Sequence, residues 1–173
     1  MMKNGLYIFV IIIAIVLFSG TAAASGLEGV EYSVYSNLET VDSLELGFSY
    51  ALDSLNSLQT ILNYSEEEFE FSGAWMVNSL RADNYNFRFG LGLASGSAGR
   101  TVGKAVAFSG YMDTVEKIRT FYDLRYYFNN NTWTYRVDAG LPVYNRTYVT
   151  FGLGNTYWQE SKNRVRLGIN IEI

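Results

Sequence analysis

The chain has no histidine and no cysteine among its 173 residues. Without histidine there is no Ser-His-Asp or Cys-His relay and no imidazole metal ligand. Without cysteine there is no disulfide, no thiolate nucleophile and no cysteine-held zinc or iron–sulfur cluster. Proline occurs once, at Pro142, so almost nothing interrupts extended segments. Positive charge is also scarce: 13 Lys+Arg against 17 Asp+Glu leave a net charge of −4 and no footprint for nucleic acid. No catalytic, cofactor-binding or metal site is read from this composition.

What the chain has instead is aromatics and glycine, with 14 Tyr, 11 Phe, 3 Trp and 16 Gly, an all-β composition. Its one long apolar run is Leu6–Phe18. Lys3 precedes that run, and Ala22-Ala23-Ala24 follows as a small-residue cleavage site, so residues 1–24 read as a signal peptide. The run is short for a membrane span of about 20 residues. Lys3 is the one charged residue in that segment, so its removal takes the net charge from −4 to −5. Residues 25–173 then form a single β domain.

Beyond residue 25 the dominant signal is strict alternation of apolar and polar side chains, the period of a strand with two unlike faces. It recurs over Val30–Ser36, Ser43–Ala51, Leu58–Tyr64, Glu68–Val77, Tyr85–Leu93, Thr101–Met112, Glu116–Phe128, Thr132–Gly140, Tyr148–Gly154 and Arg164–Ile173. Ile61 spoils the pattern of the third segment. Lys104 falls on the apolar parity of the sixth, which suggests a bulge or a side chain snorkelling at a rim. Asn78–Asn84 and Pro142–Arg146 read as connections between strands. No helical window interrupts the series. About ten strands joined as hairpins predict an antiparallel up-and-down β-barrel, with eight as the count if irregular segments merge.

The final segment has the cleanest pattern. Val165, Leu167, Ile169, Ile171 and Ile173 share one parity; Arg164, Arg166, Gly168, Asn170 and Glu172 share the other. With the apparent leader and the alternating strands, this stretch resembles the closing strand of small bacterial outer-membrane β-barrels of eight to ten strands. Those proteins end in an apolar, usually aromatic, residue; here the end is Ile173. The resemblance implies a transmembrane barrel in contact with outer-membrane lipid and inserted by the barrel-assembly machinery through the closing strand. The implied roles are an envelope structural protein or a narrow solute channel. Barrel enzymes of that membrane generally rely on a histidine, so the resemblance does not extend to them.

Alternation alone leaves two barrels open. A soluble exported barrel holds a lipophilic ligand against an apolar interior, whereas a membrane barrel turns its apolar face to lipid. Three features favour the second. A ten-residue strand spans about 33 Å and, when tilted, covers about 25 Å of membrane normal. Glycines 47, 90, 92, 140, 152, 154 and 168 share the polar parity with the charges, as a crowded narrow lumen requires. Tyr50, Tyr64, Phe69, Tyr85, Phe128 and Trp133 sit near strand ends, where aromatic girdles form. The orientation of Phe87, Phe89, Leu91, Val165, Leu167 and Ile169 decides between the two.

The chemistry that remains is charge on the polar parity. Glu45, Glu68, Glu70, Arg88, Lys117, Arg119, Asp123, Arg125, Arg136, Asp138 and Arg166 form the candidate lumen network. Buried charges must pair. Expected partners are Glu68 and Glu70 with Arg88, Asp123 with Arg136, and Arg125 with Asp138. Such a network either plugs a small lumen with salt bridges or lines a selective pore. Glu66–Glu68 with Glu70 read as an acidic turn rather than a cation site. The Gly-Leu-Gly triplets at 90–92 and 152–154 precede no helix, so they are not phosphate loops. The aromatic loop Tyr157–Lys162 is the one candidate for contact with a partner.

Overall fold

The computed structural model describes residues 30–37, 43–65, 69–96, 102–114, 117–155 and 163–172. The expected leader, the loops around Glu66 and Gln159, and the terminal Ile173 lie outside the described residues. The described residues form ten strands: β1 (Val30–Asn37), β2 (Ser43–Ala51), β3 (Asn56–Ser65), β4 (Phe69–Ala82), β5 (Tyr85–Gly96), β6 (Gly103–Asp113), β7 (Arg119–Tyr127), β8 (Thr132–Tyr144), β9 (Thr147–Gly154) and β10 (Arg164–Glu172). Each pairs antiparallel with the next, and β10 closes on β1, with Tyr35 opposite Gly168. The fold is an up-and-down ten-stranded barrel, so the eight-strand alternative falls away.

The period-2 pattern becomes inside and outside. In β9, Tyr148, Thr150, Gly152 and Gly154 are buried while Val149, Phe151 and Leu153 are exposed. In β6, Gly103, Ala105, Ala107 and Ser109 are buried while Lys104, Val106 and Phe108 face out. The interior is therefore mostly polar or small, with Ile61 and Met76 among the apolar exceptions, and the exterior apolar, as lipid rather than water requires. Leu91 is 70% exposed, Phe89 53% and Leu167 43%. Phe87, Val165 and Ile169 share their outward parity and are half-buried among neighbouring outer side chains. An apolar interior holding a lipophilic ligand is excluded by this orientation.

At the end bearing the larger connections, Tyr64, Phe69, Phe128 and Trp133 are exposed, and Tyr126 packs on Trp133 with ring centroids 4.9 Å apart. At the opposite end, where β1 begins and β10 finishes, Tyr144 is exposed and Tyr50 and Tyr85 are half-buried. The connections there are short, between Ala51 and Asn56, Ala82 and Tyr85, Asp113 and Arg119, and Tyr144 and Thr147. These two ends are called the loop end and the terminal end below.

Two local readings change, and the structure explains two irregularities in the pattern. β4 continues through Asn78 to Ala82 with a register shift between Asn78 and Leu80, so the expected polar connection is mostly strand. β8 likewise runs past Gly140 through Pro142, beside a shift between Pro142 and Tyr144. Its pairing with β7 stops at Gly140, so Pro142 has a sheet neighbour on one side only and its missing N–H breaks no ladder there. Ile61, which breaks the outward pattern of β3, is buried inside the barrel. Lys104 involves no bulge: it stands in register with Leu93 at the loop end of β6, with its side chain exposed on the outer face.

Candidate functional site

The lumen charges of β2, β7, β8 and β10 join into one belt. Arg125 and Asp123 lie two residues apart on β7, and so on one face. The guanidinium grips the carboxylate in a fork, Nε to Oδ1 at 2.9 Å and Nη2 to Oδ2 at 3.1 Å. The same guanidinium crosses the lumen and donates to Ser72 Oγ on β4 and Gln59 Oε1 on β3, each at 3.0 Å. Arg136, in register with Asp123, lies 3.4 Å from its Oδ1 and reaches Glu45 Oε2 on β2 at 3.0 Å. Glu45 in turn accepts from Arg166 Nη2 on β10 at 2.8 Å, and Arg166 stands 3.5 Å from Asp138 Oδ2. The chain Arg125–Asp123–Arg136–Glu45–Arg166–Asp138 thus links one wall to the other.

Glycine makes this crossing possible. Asp138, Gly152 and Arg166 are successive register partners across β8, β9 and β10. A Cβ on Gly152 would run into the carbonyl oxygen of Val137 and Oδ1 of Asp138. On Gly154 it would lie 3.1 Å from Arg166 Cδ and 3.2 Å from Arg136 Cγ. The arginine stems occupy the volume that side chains on β9 would otherwise fill. The Arg166 guanidinium also stacks on Tyr35, 4.0 Å from the ring centroid.

A second cluster sits toward the terminal end. Arg119 on β7 is held by Asp113 (Nε to Oδ1 2.6 Å) and by Glu172 (Nη1 to Oε2 2.7 Å), and lies over the Tyr111 ring at 3.9 Å. Arg88 on β5 donates from Nη1 to Ser49 Oγ at 2.9 Å. Below the belt opens a cavity of about 250 Å³, and within the belt lies a smaller one of about 70 Å³. Ser49 and Arg88 line both.

Of the eleven charges read from the sequence, nine face the lumen: Glu45, Glu70, Arg88, Arg119, Asp123, Arg125, Arg136, Asp138 and Arg166. Lys117 does not. It is exposed in the turn between β6 and β7 with φ of 71°, because Thr114 N–H and Oγ1 both donate to the carbonyl of Ile118 and close the turn ahead of β7. Glu68 lies outside the described residues. Asp123 meets Arg136, but the Arg125–Asp138 pair is replaced: Arg125 takes its own-strand neighbour and Asp138 takes Arg166. Glu70 and Arg88 stand at opposite ends of the β4–β5 hairpin, opposite Gly96 and Asn78 respectively, so they do not pair. The neutral partners Gln59, Ser72 and Ser49 were not singled out by charge, although parity places all three on the inner face.

An apolar exterior with two aromatic girdles, closed on itself around a polar, ion-paired lumen, defines a small transmembrane β-barrel of the outer-membrane type. No family model and no curated protein matches the sequence. Among solved structures the chain is similar to a KdgM porin, with a TM-score of 0.53 and 10% sequence identity, over 84% of this chain and 99% of that one. At that identity the likeness is one of fold.

Proposed function

We propose that the protein is an exported, non-enzymatic barrel of the bacterial outer membrane whose lumen is shut by its own ion pairs, and that it serves as an envelope structural element. The observation that carries this reading is the wall-to-wall belt. Arg125, Arg136 and Arg166 are each at most 6% exposed, and together they bond to Gln59, Ser72, Glu45, Asp123 and Asp138 from five other positions of the wall. A small barrel has an interior that side chains can fill, and here charged side chains fill it. The apolar exterior accounts for residence in outer-membrane lipid. Residues 1–24 account for export, and the alternating β10 suits insertion by the barrel-assembly machinery.

The test has two parts. Cell fractionation with an unboiled and a boiled gel sample should find the protein in outer membranes, with a mobility that changes on heating. Conductance in planar bilayers should then show no stable open state. A second reading, a narrow solute channel, is favoured by the two cavities, one within the belt and one below it, that share Ser49 and Arg88, and by the likeness to a porin. It differs from the first in one outcome, an open state of the unaltered protein.

A further inference from the structure

The cavity at the terminal end has a charge balance opposite to that of the whole chain. Four arginines line it, Arg81, Arg88, Arg119 and Arg146, against the carboxylates of Asp83 and Glu172, whereas the chain as a whole carries −4. Arg88 is buried at its floor, where it also lines the belt cavity; Arg119 is buried nearer the rim, its Nη2 donating to the Asp83 carbonyl in the β4–β5 turn; Arg81 and Arg146 are exposed at its mouth. The result is a funnel with guanidinium groups at two depths. Low-dielectric barrel walls around such a funnel focus its positive field rather than letting solvent disperse it.

A second observation points to a bound group. Ser57 is 3% exposed and lines the same cavity, yet its Oγ has no hydrogen-bond partner among the described residues. Asn86, 7% exposed, lines it too, with its amide oxygen unpartnered. Rotating that amide about its terminal bond would present an N–H donor instead. Buried polar atoms left without partners are uncommon and are ordinarily satisfied by a ligand or by ordered water. The volume, about 250 Å³, is roughly eight times the ~30 Å³ that one water takes in the liquid, which is room for a small anion and part of its hydration shell.

We infer that this funnel is a binding site for a small oxyanion, a carboxylate or a phosphate, held by Arg88 at the floor and Arg81 and Arg146 at the mouth. Planar guanidinium forks suit both anions, and the Ser57 hydroxyl supplies a neutral donor. Arg119 is already held by Asp113 and Glu172, whose carboxylates offset its charge, so it is left out of the set that holds the anion. The inference stands apart from the plug: the funnel opens below the belt whether or not the belt conducts.

Titration calorimetry on the full chain, folded in detergent micelles, tests it, with inorganic phosphate and acetate as separate probes. Saturable binding of either in the millimolar range is expected, and phosphate alone or acetate alone would identify the source of the oxyanion. The double variant R81Q/R146Q removes two exposed mouth charges without touching the belt and should bind about tenfold more weakly. The control K104Q, which removes one charge at the opposite rim, should bind as the unaltered protein does. Absence of saturable binding overturns the inference. So does binding unchanged in R81Q/R146Q, or weakened equally in K104Q. Heat-modified mobility confirms that each variant is folded.

Discussion

Asp138 and Arg166 approach to 3.5 Å across Gly152, which stands in register between them. Two strands two places apart are joined because the strand between them carries no side chain at that level. Gly152→Ala should therefore damage both backbone and ion pair, since the added methyl would meet the Val137 carbonyl and the Asp138 carboxylate and lie 2.6 Å from Asp138 Cα. Overpacking of this kind costs about 1–3 kcal/mol. The midpoint of the heat-modified gel shift should fall for G152A. Gly73→Ala is the matched control: the nearest atom is 3.9 Å away, an ordinary contact, and its midpoint should stay where it was.

The outer face makes a separate prediction. Leu91 is 70% exposed at the middle of β5. In lipid, Leu91→Arg should cost about 2–4 kcal/mol at the bilayer midplane. On a water-facing surface the same change would stay within about 0.5 kcal/mol. Equilibrium folding into phospholipid vesicles, followed by tryptophan emission, separates the two.

Asp123 neutralises two guanidinium groups at once, Arg125 and Arg136. Asp123→Ala leaves both without their shared carboxylate, a loss of about 3–5 kcal/mol for a buried pair broken on one side. Replacing Arg125 by Met together with D123A should recover part of that loss, because one uncompensated charge goes with it. Denaturant unfolding of both variants in micelles gives the comparison. A double variant as unstable as D123A would show that Arg125 carries no uncompensated charge.

Outside the membrane, the turn between β2 and β3 is tied by Asp53. Its carboxylate accepts from the Asn56 side chain at 2.9 and 3.0 Å, and from the Leu55 and Asn56 backbone N–H groups, each at 2.7 Å. These bonds favour the ionised form, the Asn56 side chain most, and hold the Asp53 pKa below its ordinary value. With the folded pKa depressed, the stabilisation is full above the unfolded pKa and is lost as pH falls through the folded one. Amide exchange at Leu55 and Asn56 should therefore quicken, relative to its intrinsic rate, as the pH drops below the usual carboxylate range. In Asp53→Asn that pH dependence should vanish.

Much of the barrel was legible because its physics is local. A strand between lipid and a polar lumen must alternate, so parity alone placed Phe89 and Leu91 outside and Arg125 and Asp138 inside. What parity could not give was register and ends. Whether Asp138 meets Arg125 or Arg166 depends on pairings between strands far apart in sequence, and on a glycine that lets one partner pass. Lys117 kept the parity of β7 but falls in a turn closed by Thr114, where alternation has no meaning. Pro142 marks a connection in the sequence but lies within β8, because its one-sided pairing is a property of the closed sheet and not of its neighbours in sequence. Ile61 is an apolar side chain on the inner parity, so it breaks an alternation that assumes a polar lumen.

The most direct test of the sealed lumen is single-channel recording from the purified barrel in planar bilayers, unaltered and with Asp123, Arg125 and Arg136 all replaced by Ala. Heat-modified mobility would establish that both are folded. The unaltered protein should give no stable unitary steps, and the triple variant should give uniform ones, because the belt is the only barrier removed. Steps of the same size from both proteins would contradict the account.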